Sequence, residues 1–304
     1  MEENLDFTNG FIQNNPWPIP NKTLIIAEIG INHNGDIAIA KKLIDMAKNA
    51  GCDYVKFQKR TIDIVYPKDI LDSYRESPWG NTQREQKEAL EFNKEQYNEI
   101  NSYCKEKSIG WFASAWDIPS QLFLKEYNFK YNKIASPMIT HIDLLKMVAE
   151  EKKLTFISTG MSTYDDIDKA VDIFKKNDCP FILNHCVSEY PIAEDKINLK
   201  GMTNLRERYN CHIGYSGHEV TMIPCVLAAM MGAVVIERHI TLDRAMYGSD
   251  QAASLEKRGL EMMCGYIKSI PSIIGNGNKT ITPGEKANSD KLRYWGPFHD
   301  EHIN

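Results

Sequence analysis

The side chains able to do chemistry recur at one kind of position in this 304-residue chain, the carboxyl end of a short apolar run. Lysines stand there at Lys56 and Lys133, and carboxylates at Glu28 and Glu237. A lysine supplies a point charge and a hydroxyl supplies a directional hydrogen bond, so together they suit the phosphate and carboxylate of one small anion. The full set comprises Glu28, Lys56, Gln58, Ser114, Lys133, Ser136, Ser158, Thr159, Asn184, His185, Ser188, Ser216, His218, Glu237 and His239.

Two histidines of this set, His218 and His239, end neighbouring runs. Imidazoles at adjacent strand ends can hold one divalent cation, with water completing its shell. Glu28 and Asp250 lie near the same rim and can add oxygen ligands or move protons. The opposing interpretation of any one such residue is that it points outward or serves the core. Three further histidines are interpreted as structural: His33, His141 and His212.

Eight apolar or β-branched runs would position these groups as strands. They are Leu24–Gly30, Tyr54–Gln58, Gly110–Ala115, Tyr131–Ser136, Leu154–Thr159, Phe181–Cys186, His212–Gly217 and Ala233–Ile240. Segments of helical period separate or follow them, at Ala38–Ala50, Asn93–Lys107, Ile142–Lys152, Tyr164–Lys176 and Leu255–Ile270. Asp36 and Thr163 are predicted N-caps. Alternating strands and helices indicate a parallel sheet, and no G-x-G-x-x-G follows the first strand, as an open doubly wound sheet would usually show. The pattern predicts a (βα)8 TIM barrel, whose catalytic groups come from the carboxyl ends of the strands.

Two segments lie outside this alternation. Residues 1–22 are rich in Asn and Pro and are interpreted as an N-terminal arm. Residues 59–92 form a long connection that contains Tyr66, Tyr74 and Trp79. Long connections in compact domains are often lids or binding loops, the alternative being decoration of the surface.

Composition narrows the class of protein and its partners. Apolar residues at 42% and charged residues at 25% exclude a disordered or fibrous chain, and a net charge of −5 argues against nucleic acid or an anionic membrane as the main partner. The longest apolar run, residues 222–236, is too short to span a bilayer, and the first residues do not resemble a secretory signal. Seven scattered cysteines without a C-x-x-C pair favour reduced thiols and a cytoplasmic location.

The ordered motifs closely resemble the sialic acid synthase (NeuB-type) family. The opening signature spans residues 27–36, Ala-Glu-Ile-Gly-Ile-Asn-His-Asn-Gly-Asp. Further matches follow in the same order at residues 55–58, 133–136, 158–161, 185–186 with 190–191, 214–218 and 237–243. Each match alone is weak, whereas the ordered set, which covers roughly residues 22 to 290, is specific.

The resemblance implies a transferase that condenses phosphoenolpyruvate with an open-chain aldose, giving a 2-keto-3-deoxy (sialic acid-like) sugar acid and phosphate. It implies that manganese or magnesium, bound by His218 and His239, polarises the sugar aldehyde. The phosphoenolpyruvate site it implies consists of Lys56, Ser114, Lys133, Ser136, Ser158, Ser188 and Ser216, with Thr159 beside it. The aldehyde and sugar hydroxyls would be surrounded by Glu28, Gln58, Tyr190, Glu237 and Asp250. Glu28 is the leading candidate to accept a proton from the water that adds at C2 of phosphoenolpyruvate.

Two departures from the family pattern fall on the acceptor side. Where the family commonly has Ser-Gly-Glu after the fourth strand, Ser136 is followed by Pro137 and Met138. The sequence also shows a linker-like segment at residues 282–288 but ends at Asn304, without room for the antifreeze-like domain that usually follows. The expected organisation is an arm at 1–22, a barrel at 23–276 and a tail at 277–304. A homo-oligomer is a possible partner state, and it is expected to form without the swapped C-terminal domain of the family. The expected acceptor is therefore an N-acetylmannosamine-like sugar or an altered sugar aldehyde.

Two other functions stay open on the sequence alone. One is a sugar- or phosphoenolpyruvate-binding barrel that has lost turnover, which Met138 would favour. The other is a metal-dependent sugar isomerase or aldolase, because a fold does not fix a function. Retention of Lys56, Lys133, His218 and His239 favours the condensing enzyme.

Overall fold

Ten strands are present among residues 18–293 and 295, which are the residues that the computed structural model describes. In chain order they are β1 (Leu24–Gly30), β2 (Tyr54–Lys59), β3 (Tyr74–Ser77), β4 (Gly80–Thr82), β5 (Gly110–Ala115), β6 (Asn132–Ile134), β7 (Thr155–Ser158), β8 (Phe181–Cys186), β9 (Ile213–Gly217) and β10 (Val235–His239). Eight of them form one parallel sheet in the order β5-β2-β1-β10-β9-β8-β7-β6. The two end strands also contact each other, and Phe112 of β5 lies 6.3 Å from the Tyr131 ring that precedes β6. The sheet is thus curled into the predicted barrel.

Burial of both faces of the barrel strands explains why their sequences are continuously apolar. Every residue of β1, β7, β9 and β10 is buried, as expected for parallel strands covered by helices on one side and barrel interior on the other. The predicted bounds of β1, β5 and β8 match the observed ones. The fourth barrel strand, β6, is shorter than predicted because Ser136–Met138 form a 3-10 turn at its end.

Helices surround the barrel or extend its loops. They are α1 (Ile37–Ala50), α2 (Ile62–Val65), α3 (Lys68–Leu71), α4 (Gln83–Leu90), α5 (Lys94–Glu106), α6 (Ile118–Lys125), α7 (Ile142–Glu150), α8 (Tyr164–Lys176), α9 (Gly201–Tyr209), α10 (Ile223–Met230), α11 (Lys257–Ile274) and α12 (Pro283–Leu292). Both predicted N-caps are confirmed. Asp36 accepts a hydrogen bond from the Ala38 amide at 2.6 Å, and Thr163 accepts one from Asp166 at 3.3 Å.

The connection after β2 contains regular secondary structure, whereas the sequence predicted only one long loop. It contains α2, α3, the antiparallel hairpin β3–β4 and α4. Thr82 and Glu85 form a reciprocal capping box that starts α4 directly after the hairpin. Trp79 at the hairpin tip packs edge-on against Tyr247, with ring centroids 5.5 Å apart. The hairpin is therefore attached to the loop that follows β10.

The chain divides into two compact units, one ending at Ile273 and the other beginning at Ile274. In the second unit, the segment 282–288 expected to be a linker instead begins α12, with a capping box between Thr282 and Glu285. Most of the predicted arm (residues 1–17), residue 294 and residues 296–304 of the predicted tail lie outside the described residues, and the domain bounds at 23–276 and 277–304 stay predictions. Ile19, near the end of the predicted arm, is buried. No helix in the described part of the chain combines the length and apolarity needed to cross a bilayer.

Candidate active site

Strand register brings the predicted polar residues to one end of the barrel. Glu28 on β1 stands level with Lys56 on β2 and with His239 on β10, because β1 lies between those two strands. Glu237 on β10 stands level with Ser216 on β9 in the same way. Residues at equal height on neighbouring parallel strands are only one strand spacing apart, so the sheet itself assembles the site.

These residues line a cavity of about 450 Å³, a size typical of small-molecule sites. The predicted site residues in its wall are Glu28, Lys56, Gln58, Ser114, Lys133, Ser136, Ser158, Ser188, Tyr190, Ser216, His218, Glu237, His239 and Asp250. Thr159, also predicted as a site residue, does not line this cavity. Its hydroxyl donates to the Asn184 carbonyl at 3.0 Å, and Thr159 lines a second cavity that shares Met161 and Cys186 with the first.

A buried ion network joins β1, β2 and β10. The Lys56 ammonium lies 2.7 Å from Oε2 of Glu28 and 3.6 Å from Oε1 of Glu237. Burial disfavours the charged ammonium, but the two carboxylates outweigh it and raise the pKa of Lys56. For Glu28, burial and the charge of Glu237 outweigh Lys56 and raise the carboxyl pKa to about 7. A carboxyl with that pKa can both accept and release a proton near neutral pH.

Glu237 differs from Glu28 although both carboxyls are buried. Burial opposes its ionisation, yet the charges of Lys133 and Lys56 outweigh burial and lower its pKa. Its Oε1 accepts a hydrogen bond from the Ser216 hydroxyl at 3.2 Å, whereas Oε2 has no hydrogen-bond partner in the described residues. The two carboxyls of one cavity therefore differ in proton affinity, which is a common basis for dividing acid and base roles.

Lys133 is the less neutralised of the two lysines. Its ammonium donates to the Ser158 hydroxyl at 2.5 Å and to the Ile134 carbonyl at 2.9 Å, and the described residues show no carboxylate within ion-pair distance of it. Burial, assisted by the positive charge of Lys56, lowers the pKa of Lys133 although Glu237 opposes that change. A buried cation held by neutral groups is ready to take an anionic partner.

Hydroxyls and one backbone amide lie beside Lys133. The Gly160 amide donates to Ser136 Oγ at 3.1 Å, and the Cys186 thiol lies 3.1 Å from the same hydroxyl. The Ser114 and Ser188 hydroxyls are buried without hydrogen-bond partners in the described residues. Buried polar atoms normally have partners, so these two hydroxyls indicate a ligand position.

A Cβ atom at Gly160 would lie 2.3 Å from Ser188 Oγ and 2.8 Å from Ser136 Oγ. Both distances are far shorter than ordinary van der Waals contact, so only glycine lets the backbone approach the hydroxyl cluster here.

The two predicted metal ligands face one another across the same cavity. The His218 and His239 ring centroids are 5.6 Å apart, and the Tyr190 ring lies 4.1 Å from His218 and 5.9 Å from His239. His218 Nδ1 lies 2.8 Å from the Val187 carbonyl, which can only accept, so Nδ1 carries the proton and Nε2 keeps its lone pair. Burial lowers the pKa of both rings, which keeps them neutral.

Asp250 belongs to this histidine side of the cavity. Its Oδ2 lies 3.9 Å from His239 Nδ1, a ring nitrogen that is buried without a hydrogen-bond partner among the described residues. Within those residues, no group of three or more His, Cys, Asp and Glu side chains is arranged as a metal site. Any metal bound by the two histidines would therefore rely on water or substrate for further ligands.

Sequence reasoning missed several side chains that line the cavity. Arg60, two residues after Gln58, donates to the Gln58 carboxamide and stacks on Trp116 at 4.0 Å. Arg60 directly follows β2 and could have been found by extending the list of strand-end residues. Arg75 and Lys87 belong to β3 and α4, and no strand-end rule points to them.

Comparisons with known proteins identify a family and similar folds. Residues 43–279 match the family model described as the NeuB family. The chain is 36% identical over 278 residues to the N,N'-diacetyllegionaminic acid synthase of Campylobacter jejuni, covering 90% of this chain and 83% of that protein. It is 36% identical over 271 residues to the human N-acetylneuraminate-9-phosphate synthase, covering 88% and 76%. The crystal structure of the N-acetylneuraminic acid synthetase from Leptospira borgpetersenii, in complex with citrate, superposes with a TM-score of 0.77 at 32% identity, covering 90% of this chain and 94% of that one.

Proposed function

The chain belongs to the NeuB family, and from that membership and the cavity we propose that it condenses phosphoenolpyruvate with the open-chain form of a sugar. The products are a 2-keto-3-deoxy sugar acid of the sialic acid kind and inorganic phosphate. The observation that carries the proposal is a single cavity holding a buried anion site at Lys133 opposite two neutral histidines. The reaction needs both groups, one for each substrate.

The phosphoenolpyruvate end of the cavity is proposed to be the Lys133 side. The ammoniums of Lys133 and Lys56 supply positive charge, and the unpartnered hydroxyls of Ser114 and Ser188 supply donors. Ser136, Ser158 and Ser216 complete the set with the Gly160 amide close by. These groups hold the substrate so that its C3 faces the histidine side, which converts an encounter of two molecules into a local reaction.

The proton transfers are proposed to centre on Glu28. When C3 of phosphoenolpyruvate bonds to the aldehyde carbon, positive character grows at C2 and a water adds there. Glu28 accepts one proton of that water and passes a proton to the oxygen of the former aldehyde, which becomes a hydroxyl. The new hydroxyl on C2 then loses its proton to the departing phosphate as the bond between C2 and the phosphate ester oxygen breaks, which leaves a ketone at C2. The raised pKa of Glu28, about 7, and its contact with Lys56 at 2.7 Å fit a carboxylate that gains a proton during turnover.

His218 and His239 are proposed to hold manganese or magnesium. Both rings are neutral, His218 Nε2 has a free lone pair, and His239 Nδ1 is buried without a partner in the described residues, so the donor set fits a divalent cation. When bound, such an ion supplies Lewis-acid polarisation of the sugar aldehyde. The test is Mn²⁺ binding to the protein without substrates, followed by electron paramagnetic resonance. His218→Ala and His239→Ala should each weaken binding at least tenfold, and unaltered binding in both variants would reject the assignment.

Gln58, Tyr190 and Asp250 are proposed to contact the sugar. All three line the cavity, and Tyr190 and Asp250 are grouped around His239. Met138 stands where the family pattern has a sugar-binding glutamate; it lies in the 3-10 turn after β6 and is not part of the cavity wall. We therefore propose an acceptor that does not need that carboxylate, rather than N-acetylmannosamine by default.

The decisive experiment measures phosphate release from phosphoenolpyruvate with Mn²⁺ over a panel of aldoses, with mass spectrometry of each product. A condensing enzyme releases phosphate only with a suitable aldose and yields a product heavier than that sugar by the pyruvate unit. Sugar turnover that needs no phosphoenolpyruvate would instead indicate an isomerase or aldolase. No turnover with any aldose would support the non-catalytic barrel.

The cytoplasm is the proposed compartment. Six of the seven cysteines are buried, where the thiol serves as a small apolar side chain. Cys52 and Cys264 lie 3.7 Å apart as free thiols. A reducing environment suits this pattern.

A further inference from the structure

One of the proposed metal ligands, His218, lies beyond the end of its strand. The register of β9 with β10 ends at the pair Gly217 and Arg238, so the ladder between these strands does not include His218. Two contacts reach it from the loop after β8. The Val187 carbonyl lies 2.8 Å from His218 Nδ1, and the Ile192 amide donates to the His218 carbonyl at 3.1 Å. A ligand outside the sheet needs further contacts to keep one orientation.

The further contacts belong to a buried carboxylate, that of Glu219, which is the next residue in the chain. The side chains of Glu219 and Arg238 are both fully buried, and Arg238 Nε lies 3.5 Å from Oε1 of the carboxylate. The Tyr215 hydroxyl donates to Oε2 at 2.8 Å, and the Cys225 thiol donates to Oε1 at 3.4 Å. Glu219 therefore joins β9, β10 and α10 next to His218.

Gly217 leaves the space that this carboxylate occupies. A Cβ atom at residue 217 would lie 2.6 Å from Oε2 of Glu219 and 2.7 Å from Oε1, far inside ordinary van der Waals contact. The Glu219 side chain thus folds back against the end of β9. Buried ion pairs seldom stabilise a fold more than apolar side chains of similar size would. A strand end built this closely around a buried charge therefore calls for a role other than stability.

Arg238 connects the carboxylate to the backbone on both sides of His218. Its Nη1 donates to the Gly217 carbonyl at 2.9 Å, and its Nη2 donates to the Glu219 carbonyl. One guanidinium thus holds the residue before His218 and the residue after it. Neither Glu219 nor Arg238 is among the described residues that line the cavity, so an effect of either on the site must pass through its neighbours.

We propose that Glu219 is a positioning residue that, through Arg238, fixes the His218 ring for metal binding. The carboxylate fixes the guanidinium, and the guanidinium fixes the backbone around His218. The ring then keeps Nδ1 on the Val187 carbonyl and leaves Nε2 for the metal. The inference rests on the proposed function, because that function makes His218 a metal ligand.

Glu219→Gln tests the proposal because it keeps the size of the side chain but replaces one acceptor oxygen with a donor. The carboxylate is surrounded by donors, namely the Tyr215 hydroxyl, the Cys225 thiol and the Arg238 guanidinium, so an amide nitrogen has no acceptor there. Mn²⁺ alone is titrated into the protein without substrates, and free Mn²⁺ is followed by electron paramagnetic resonance. The Kd for Mn²⁺ should rise by about 10- to 100-fold, the range usual when a metal ligand loses the group that orients it.

Glu194→Gln is the matched control, because Glu194 is exposed and accepts a hydrogen bond from Thr221, three residues after His218, at 2.6 Å. It should leave the Kd within about twofold, as is usual for surface substitutions. Circular dichroism confirms that each variant is folded at the temperature of the titration. If Glu219→Gln does not fold, Arg238→Met is added to it, which removes the unpaired buried cation and should give the same rise. A lower stability with the Kd of wild type, in whichever of the two variants folds, overturns the proposal, because Glu219 would then serve only the fold.

A wild-type protein that binds no Mn²⁺ would reject the metal assignment of the proposed function instead. In that case the nitrogen-15 resonances of the His218 ring in the metal-free protein decide the positioning role alone, with His218→Ala identifying the signal. Wild type should show a single tautomer with the proton on Nδ1, and Glu219→Gln should show a mixture of tautomers. The same single tautomer in the variant overturns the proposal.

Discussion

At the scale of single residues, the two buried carboxyls of the site are separated by their surroundings. Both contact Lys56, but Glu237 also experiences Lys133 and so has a lowered pKa, whereas burial raises that of Glu28 to about 7. The difference follows from position on the barrel, because the strongest positive neighbour of Glu237 is Lys133, with Lys56 second, whereas that of Glu28 is Lys56. One residue is thus suited to move a proton and the other to stay charged.

Glu28→Gln tests that division. Gln keeps the size of the side chain but cannot accept a proton, so kcat should fall by about 10² to 10⁴, the range usual for loss of a general acid or base. The KM for phosphoenolpyruvate should change little, because Lys56 keeps Glu237 as its carboxylate partner and the contact of Lys133 with Ser158 is unaltered. Steady-state phosphate release measures both quantities, and a variant with unimpaired kcat would contradict the role given to Glu28.

Gly160→Ala tests the hydroxyl cluster. The added methyl group would lie 2.3 Å from Ser188 Oγ and 2.8 Å from Ser136 Oγ, so these hydroxyls must move. We expect the KM for phosphoenolpyruvate to rise by about tenfold, the effect of one weakened hydrogen bond to an anion. Gly265→Ala on α11 is the matched control, because its Cβ meets nothing within 4 Å. A KM that responds equally to both substitutions would reject the proposed cluster.

At the scale of elements, Arg238 connects two loops that carry residues of the site. Arg238 alternates with Glu237 and His239 on β10, so it points away from the cavity and is fully buried. Its Nη1 donates to the carbonyls of Gly217 at 2.9 Å and Ala253 at 2.8 Å, and Nη2 also donates to the Glu219 carbonyl. It therefore joins the end of β9, next to His218, to the loop that carries Asp250.

Arg238→Met should lower the free energy of unfolding by about 3–5 kcal/mol, because it leaves the buried Glu219 carboxylate and several carbonyls without their partner. Urea unfolding measures the change. Arg208→Met is the matched control, since Arg208 pairs with Asp168 at 2.6 Å on the surface, where ion pairs contribute little. An Arg238 variant no less stable than the Arg208 variant would contradict the anchoring role.

The sequence predicts some secondary-structure elements of this chain and not others. Continuous apolar runs such as β1 and β8 were predictable to the residue, because parallel strands buried on both faces leave a clear pattern. The hairpin β3–β4 was not, because its strands are short, largely polar and in contact with Tyr247 of the loop after β10, which is distant in the sequence. Arg75 and Lys87 of the cavity wall lie on that hairpin and on α4, so they could not be placed in the site without the structure.

The candidate site was predictable for a related reason. Residues at the carboxyl ends of parallel strands must converge, so Glu28, Lys56 and His239 could be grouped before their register was known. The direction of a side chain just beyond a strand is less constrained. Thr159 follows β7 directly, and it was expected in the cavity, but it hydrogen-bonds to the β8 backbone and faces away.

At the scale of the whole molecule, four buried charges gather at the carboxyl ends of the barrel strands: Glu28, Lys56, Lys133 and Glu237. Lys133 is 3% exposed, and burial lowers its pKa. Functional groups of this kind commonly reduce stability in exchange for activity. Burying Lys133 therefore lowers the free energy of unfolding, and binding of an anionic substrate offsets that loss.

Lys133→Met should raise the free energy of unfolding by about 1–3 kcal/mol while abolishing phosphate release, because a buried cation is replaced by an apolar side chain of similar length. Thermal and urea unfolding measure the gain, with an exposed lysine, Lys68→Met, as the matched control. A Lys133 variant that is less stable than wild type would show that the charge contributes to the fold.

The pairing of Lys56 with Glu28 and Glu237 has a consequence for how substrate enters. The free enzyme already occupies part of its anion site with its own carboxylates, which act as built-in competitors of phosphoenolpyruvate. When phosphoenolpyruvate binds, its anionic group replaces a carboxylate at Lys56; it does not pair with a lysine that was free before. The affinity measures a difference between two sets of ion pairs, which keeps the site selective for anions able to displace a carboxylate.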